Sequence, residues 1–279
     1  MALAERFRRA IAANPKRNGF GDFFADLLND VAVPVSPDDL KGRGKILAFL
    51  SLYPGSGATT LSIYAAMTLT GKKDEPKEVA LADLTPWGKA RSYLGLHPDD
   101  YPASVLDLIR AEDGDDAARF GVLHPFGFFV FPGVVHRLDA VLELLPEPLA
   151  AVRAAARIKA SFDTGLLILP PVESGGWAGA MVADRIFLVV PPARAALDAL
   201  PDALSILDRF GARGRTKVVL NQAGKPGTMD PRDVLPVIRP DATLPYDAKV
   251  EESINQRRPD YARRFSARFQ KAMRPILRL

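Results

Sequence analysis

Short runs of consecutive apolar residues alternate with longer amphipathic segments along most of this chain. Continuous apolar runs are typical of strands that are buried on both faces, as in a parallel sheet covered by helices. Such strands are predicted at residues 45–51, 78–83, 128–131, 166–169, 185–190, 216–220 and 242–244. The segments between them favour crossover helices at Thr59–Leu69, Ala103–Arg110, Leu138–Ala160 and Arg194–Phe210. The pattern therefore predicts a three-layer α/β fold, with a mostly parallel, twisted sheet of about seven or eight strands and helices on both faces.

The residues before the first predicted strand have a different pattern. Apolar residues recur at helical spacing in residues 3–12 and again in residues 20–31, and arginines lie opposite them in the first segment. A linker with several prolines and glycines follows. The sequence therefore predicts a helical N-terminal extension and linker over residues 1–43, followed by an α/β domain over residues 44–279.

Composition excludes several classes of chemistry. The chain of 279 residues has no cysteine, so disulfides, zinc–thiolate sites and thiol nucleophiles are not available. The formal net charge of +4 is too small to predict nucleic-acid binding by itself. No apolar run is long enough for a membrane-spanning helix, and the N-terminus lacks the apolar core of a secretory signal, so a cytoplasmic protein is expected.

The segment between the first strand and the first helix has the layout of a phosphate-binding loop. Gly55 and Gly57 allow a tight turn, the backbone N–H groups attract an anion, and Thr59 places a hydroxyl where such loops hold Mg²⁺. However, Ala58 stands where these loops carry lysine, and Pro54 has no N–H group. Loss of one charge-assisted hydrogen bond, worth roughly 1.5–3 kcal/mol, weakens nucleotide binding by about ten- to a hundredfold. A plain strand-to-helix turn is the alternative interpretation.

At this loop the chain resembles the MinD/ParA family of deviant-Walker ATPases, and within it the pilus-assembly localisation proteins of the CpaE/TadZ type. The family loop reads KGGxGKTT, and residues 53–60 read YPGSGATT. Tyr53 stands at the signature lysine, which in active members acts across a nucleotide-sandwich dimer. Ala58 stands at the general loop lysine, and Thr59 and Thr60 match the two family threonines.

Three later segments extend the resemblance. In VALADLTPWG, Asp83 matches a carboxylate that in the family helps to position Mg²⁺ or the attacking water, and Thr85 replaces a second carboxylate. In FDTGLLILPP, Ile168 falls where the Walker B aspartate belongs, and a hydrophobic side chain cannot hold Mg²⁺. In KVVLNQ, Asn221 matches an asparagine that recognises adenine. A strand-end cap remains the alternative role for Asp83, and a turn residue remains the alternative for Asn221.

The resemblance implies a P-loop NTPase-like fold whose ATP site is degenerate, because neutral residues replace two lysines and two carboxylates. Loss of both signs of charge leaves no unpaired charge to bury. We therefore expect no catalytic residue and no cofactor, and the alternative is ATP with Mg²⁺ held by Thr59 and Asp83. If nucleotide binding is retained, the resemblance assigns it to Gly55, Ser56, Gly57, Ala58, Thr59, Thr60, Asp83 and Asn221.

Three functions are compatible with such a site. The first is a non-catalytic scaffold or localisation protein, for which the resemblance implies a pilus or secretion assembly at a bacterial membrane. The second is a slow Mg-ATPase that takes a lysine from elsewhere, for example Lys89 or Lys225. The third is a regulator that binds a nucleotide without hydrolysing it.

Partner contacts are predicted in three places. Tyr53 and Pro54 lie on the face that nucleotide bridges in dimeric relatives, so a homodimer is expected there. Trp177 lies among glycines and is either a partner anchor or a residue packed on the core. The C-terminal segment 261–279 is basic and amphipathic, as is the N-terminal helix, which suits contact with an anionic membrane; the last helix of the domain is the alternative for the C-terminal segment. We therefore expect protein partners in a membrane-associated assembly, a cytoplasmic or peripheral location at the inner membrane face, and no nucleic acid.

Overall fold

The computed structural model describes residues 36–70, 78–86, 88–112, 115–140, 149–258 and 267–278. The two helices predicted before residue 36 lie outside these ranges. The domain boundary predicted at residue 44 stays a prediction, because residues 36–44 are the only described part of the extension and linker.

Eight strands form one sheet in the described part of the chain. In sequence order they are β1 (Lys45–Ser51), β2 (Val79–Asp83), β3 (Val122–Leu123), β4 (Phe129–Phe131), β5 (Thr164–Leu169), β6 (Arg185–Val190), β7 (Thr216–Ala223) and β8 (Ala242–Pro245). Across the sheet the order is β3-β4-β2-β5-β1-β6-β7-β8, and all neighbours are parallel except β3 and β4. The predicted mostly parallel α/β fold is therefore confirmed.

The predicted strands are all present, and the differences lie at their ends. β1 and β6 have the predicted bounds. β5 begins earlier, at Thr164, and β7 continues to Ala223 past an irregularity in its pairing after Leu220. The strand that the sequence did not predict is β3, because two residues are too few to establish any periodicity.

Helices connect the strands and cover both faces of the sheet. They are α1 (Ala58–Leu69), α2 (Lys89–Tyr93), α3 (Val105–Arg110), α4 (Arg137–Asp139), α5 (Ala150–Ser161), α6 (Gly176–Met181), α7 (Arg194–Arg209), α8 (Pro231–Ile238), α9 (Ala248–Asn255) and α10 (Ala267–Arg278). The helix predicted over Leu138–Ala160 is described only near its ends, as α4 and α5. The sequence has prolines at 146 and 148, which lack the N–H group that a helix interior needs, and α5 begins just after them.

Successive side chains along each strand point to opposite faces of the sheet, so the molecule has two separate apolar cores. In β1, Ile46, Ala48 and Leu50 belong to one core, and the fully buried Phe49 belongs to the other. The first core is completed by helices α5, α6 and α7, and the second by α1, α2 and α10. The molecule is therefore three layers thick, with the sheet in the middle.

The C-terminal helix α10 is part of the domain. Phe269, Met273 and Ile276 are buried in the second core, and the helix packs against β8. This confirms the domain-helix interpretation of the described part of the C-terminal segment, and it leaves the cationic face with Arg268 and Arg274 outside. None of the described helices is long and apolar enough to cross a membrane.

Candidate functional site

The connection from β1 to α1 depends on two glycines with left-handed backbone conformations. Gly55 has a φ of 83° and Gly57 a φ of 93°, a region that residues with a Cβ atom rarely adopt. At Gly57 a Cβ atom would also collide with the side-chain amide of Asn221. The chain can therefore make this turn, and start α1 directly after it, only because glycine occupies position 57.

Two amide side chains from the end of β7 hold the same loop. Asn221 Nδ2 donates a hydrogen bond of 2.8 Å to the carbonyl oxygen of Ser56, and Gln222 Nε2 donates one of 2.8 Å to that of Gly55. Gln222 itself has a φ of 61°, an uncommon conformation for a residue other than glycine. The side-chain amides of Asn221 and Gln222 thus brace the glycine loop.

A cleft of about 290 Å³ opens beside the braced loop. On one side, Lys89 and Tyr93 reach it from α2. On the other side it is bounded by Tyr246, which follows β8, and by Glu251 of α9. The cleft is therefore open and has not been filled by side chains. The residues assigned to nucleotide binding that line it are Gly55, Gly57, Ala58, Thr59, Thr60 and Asn221.

The remaining predicted site residues lie elsewhere. Ser56 is fully buried, and its Oγ atom has no hydrogen-bond partner among the described residues. Tyr53 and Pro54 are exposed beside the cleft lining, and 44% of the Tyr53 surface is accessible. The Trp177 ring stacks on Phe210 with a centroid separation of 4.4 Å, so much of it is already packed within its own domain.

Asp83 does not face the cleft. Its Oδ1 atom accepts hydrogen bonds from the backbone N and the hydroxyl of Thr85, at 3.0 and 2.6 Å, and its Oδ2 atom accepts one from the backbone N of Ala90 at 2.9 Å. Complete burial raises the pKa of this carboxyl group, and these bonds and the charge of Lys89 partly oppose the effect. Asp83 thus connects the end of β2 to the first turn of α2. Thr85 and Ala90 supply the hydrogen bonds that its buried carboxylate needs.

Ile168 and Ala58 are both buried where the family carries charges. Ile168 is only 1% exposed and belongs to the second core, where its backbone pairs in register with Phe49 and Asp83. Ala58 is fully buried at the first position of α1. An apolar core side chain therefore occupies the position that the resemblance assigns to the Walker B aspartate.

The two lysines in the cleft have different environments. Lys225 Nζ lies 2.9 Å from Glu251 Oε1, and the Tyr246 hydroxyl donates a hydrogen bond of 2.6 Å to the other oxygen of Glu251. These two bonds lower the pKa of Glu251, and the same contact raises the pKa of Tyr246. Lys89 has no carboxylate within 4.0 Å among the described residues.

Sequence reasoning missed several residues of this site, among them Gln222, Tyr93, Tyr246 and Glu251. The tandem amides in KVVLNQ and the aromatic residue in LPYD were visible signals. Nothing in the sequence indicated that Tyr93, on a helix of five residues, would line the cleft.

Comparisons with known proteins agree with this fold. No protein-family model matches the chain. The sporulation initiation inhibitor protein Soj of Bacillus subtilis is 29% identical over 133 residues, which are 46% of this chain and 50% of Soj, so the similarity spans about half the length of that relative.

Two solved structures superpose on most of the chain. A ParA family ATPase from Chlorobium tepidum aligns with a TM-score of 0.68 and 17% identity, over 84% of this chain and 98% of that protein. The septum site-determining protein MinD from Pyrococcus horikoshii, in complex with Mg-ADP, aligns with a TM-score of 0.65 and 18% identity, over 82% and 93%. The chain therefore has the P-loop NTPase fold of these ParA and MinD proteins, and about half of it is similar in sequence to Soj.

Proposed function

We propose that this protein is a non-catalytic member of the family, which positions or scaffolds a larger assembly. The observation that carries the proposal is the state of the catalytic positions. The resemblance assigns the loop lysine to Ala58, which is buried, and the Walker B aspartate to Ile168, which lies in the core. Asp83 accepts hydrogen bonds at both of its carboxylate oxygens.

Charge stabilisation matters most in the transition state of phosphoryl transfer. Catalysis there consists almost entirely of positioning the reactants and neutralising charge on the transferring group. Removal of a single such donor costs about 10²–10³ in rate, and several are absent here. A slow ATPase that uses Lys89 or Lys225 remains the alternative enzyme, and a phosphate-release assay distinguishes the two.

The assembly that we propose is a pilus or secretion apparatus at a bacterial membrane, on the resemblance to the CpaE/TadZ type. A homodimer through the exposed pair Tyr53 and Pro54 supplies a contact that does not depend on nucleotide. Family members do bind protein partners, as in the MinC:MinD cell division complex of Aquifex aeolicus. Contact with an anionic membrane would use the outer cations of α10 electrostatically, since the apolar face of that helix is buried.

A second candidate function is nucleotide binding without hydrolysis. It is favoured by the open cleft beside the glycine loop and by Asn221, which lines the cleft and is only 5% exposed. No described residue donates a hydrogen bond to the Asn221 Oδ1 atom, so this oxygen is available to a ligand. MinD from Pyrococcus horikoshii binds Mg-ADP on the same fold.

Two experiments test the proposal. Purified protein with Mg-ATP should release no phosphate above the rate of a protein-free blank, and an active family ATPase assayed in parallel should exceed it clearly. Sedimentation should show a dimer at micromolar concentration that Tyr53→Asp disrupts and Tyr101→Asp, at an exposed tyrosine of similar accessibility, leaves intact. Sustained phosphate release would reject the non-catalytic role, and a monomer would reject the dimer.

A further inference from the structure

The cleft has an apolar end and a cationic end, and the glycine loop lies between them. Strands β2 and β8 lie on opposite sides of β1 in the sheet. Lys89 reaches the cleft from the β2 side, whereas Tyr246, Val250 and Ile254 line it on the β8 side. The loop with its backbone N–H groups follows β1. This order suits a ligand with a flat ring at one end and an anionic tail at the other.

The two lysines of the cleft differ in how available they are to an anionic ligand. Lys225 is neutralised by Glu251 at 2.9 Å and lies 5.5 Å from the centre of the Tyr246 ring, so it belongs to the ring end of the cleft. Lys89 begins α2, where the left-handed Gly88 and the bond from Ala90 to Asp83 fix the direction of the helix. Its side chain is exposed and pairs with no described carboxylate within 4.0 Å. Lys89 is therefore the cation available to an anionic ligand.

The residues present do not fit Mg²⁺. Of the family positions that approach the metal, only the Thr59 hydroxyl remains in the cleft. Asp83 is buried outside the lining and carries three hydrogen bonds. The acidic residues in the described lining are engaged as well: Asp247 caps α9, and Glu251 binds Lys225 and Tyr246. Octahedral Mg²⁺ is usually held by one or two carboxylates together with phosphate oxygens, and none is available here.

We infer that the cleft binds a nucleoside di- or triphosphate without Mg²⁺, with Lys89 supplying the cation that the glycine loop has lost. This inference rests on the nucleotide-binding form of the proposed function. Backbone N–H groups of the loop hold the phosphates, Lys89 neutralises the end of the tail, and Tyr246 packs on the base. Lys89 then replaces the two loop lysines and the metal of active family members. One lysine is enough to bind the nucleotide but does not supply the positive charge that phosphoryl transfer needs.

Calorimetric titration of the full chain with ADP tests the inference. Wild-type protein should bind ADP in EDTA at least as tightly as in Mg²⁺, because Mg²⁺ in solution competes with the cleft for the phosphates. Lys89→Met should weaken binding by about ten- to a hundredfold, the equivalent of one charge-assisted hydrogen bond. Lys271→Met, which removes an exposed lysine from α10, is the matched control and should bind like wild type. Pyrophosphate should bind more weakly than ADP, because it cannot use the apolar end.

Four results would overturn the inference. These are a loss of ADP binding in EDTA, wild-type affinity in Lys89→Met, equal affinity for pyrophosphate and ADP, and no detectable binding of ADP or ATP. The last result would leave the scaffold proposal standing, because a scaffold needs no ligand. Phosphate release from Mg-ATP would instead reject the non-catalytic role. Unchanged melting temperatures for both lysine variants would show that they fold normally.

Discussion

Asn221 donates a hydrogen bond of 2.8 Å from its Nδ2 atom to the carbonyl oxygen of Ser56, which lies 165 residues earlier in the chain. Asn221 is only 5% exposed, so water competes little for this bond. Gln222 makes a bond of the same length to Gly55 in a more exposed place. The end of β7 therefore holds the glycine loop in this conformation through two side-chain hydrogen bonds.

The first prediction concerns these two amides. Asn221→Ala should lower the free energy of unfolding by about 1–3 kcal/mol, because it leaves the buried Ser56 carbonyl without its donor. Gln222→Ala should cost less than about 1 kcal/mol, since water can replace a more exposed bond. Urea denaturation of the two variants measures the difference. Equal losses of stability would show that burial does not distinguish the two bonds.

The second prediction compares the two glycines of the loop. Alanine in a left-handed conformation costs roughly 1–2 kcal/mol, so both Gly55→Ala and Gly57→Ala should lose at least that much stability. A Cβ atom at Gly55 meets nothing within 4 Å, whereas at Gly57 it meets Asn221. Gly57→Ala should therefore also break the Asn221 bond and be the more destabilised variant. Thermal unfolding followed by circular dichroism tests the order, and the reverse order would contradict the bracing role of Asn221.

Much of the fold could be predicted because its strands are buried on both faces. The continuous apolar runs of β1 and β6 gave their bounds correctly, since a central parallel strand has no solvent-facing side to interrupt the pattern. The edge strand β3 and the short helix α2 were missed, because two and five residues do not complete a recognisable period. The order of the strands across the sheet was not predicted, because a local pattern does not show which strands pair.

The site was less predictable, because its decisive contacts join distant parts of the chain. The sequence identified the glycine loop, the two threonines that follow it and Asn221, and these residues line one cleft. The role of Asp83 as a buried cap depends on the N–H groups of Thr85 and Ala90, whose positions only the folded turn reveals. Likewise, the sequence does not distinguish the roles of Lys89 and Lys225. The structure does, because Glu251 forms an ion pair with Lys225.

The third prediction restores the loop lysine. Ala58 is fully buried but belongs to the cleft lining, so we expect the longer side chain of Ala58→Lys to reach the cleft from the start of α1. We expect ADP and ATP to bind about ten- to a hundredfold more tightly than to wild type. Phosphate release should stay at the blank level, because Ile168 and the engaged Asp83 still supply no carboxylate.

The control for this variant is Ala248→Lys, which adds the same charge at an exposed position at the start of α9. It should leave nucleotide affinity unchanged. Turnover by Ala58→Lys alone would contradict our proposal that the missing carboxylates prevent hydrolysis.

The fourth prediction concerns the pH dependence of stability at His124. The backbone N of Phe126 donates to Nδ1 of this ring at 3.3 Å, so the proton is on Nε2, which faces the carbonyl oxygen of Leu94 at 3.3 Å. Burial lowers the pKa of His124, and the contact with Leu94 only partly opposes this. The folded protein therefore binds this proton less readily than the unfolded chain, whose histidine pKa is about 6.5.

Because the unfolded chain takes up the proton first, stability should fall as the pH decreases below about 6.5, by at most about 1.4 kcal/mol per pH unit from this residue. His124→Gln removes the titrating group and should flatten that part of the profile relative to wild type. His97→Gln, at an exposed histidine, is the control for the loss of an imidazole elsewhere in the chain. Urea denaturation between pH 5 and 8, values that bracket the unfolded pKa of about 6.5, measures all three, and parallel profiles for wild type and His124→Gln would show that the buried ring titrates no differently from one in the unfolded chain.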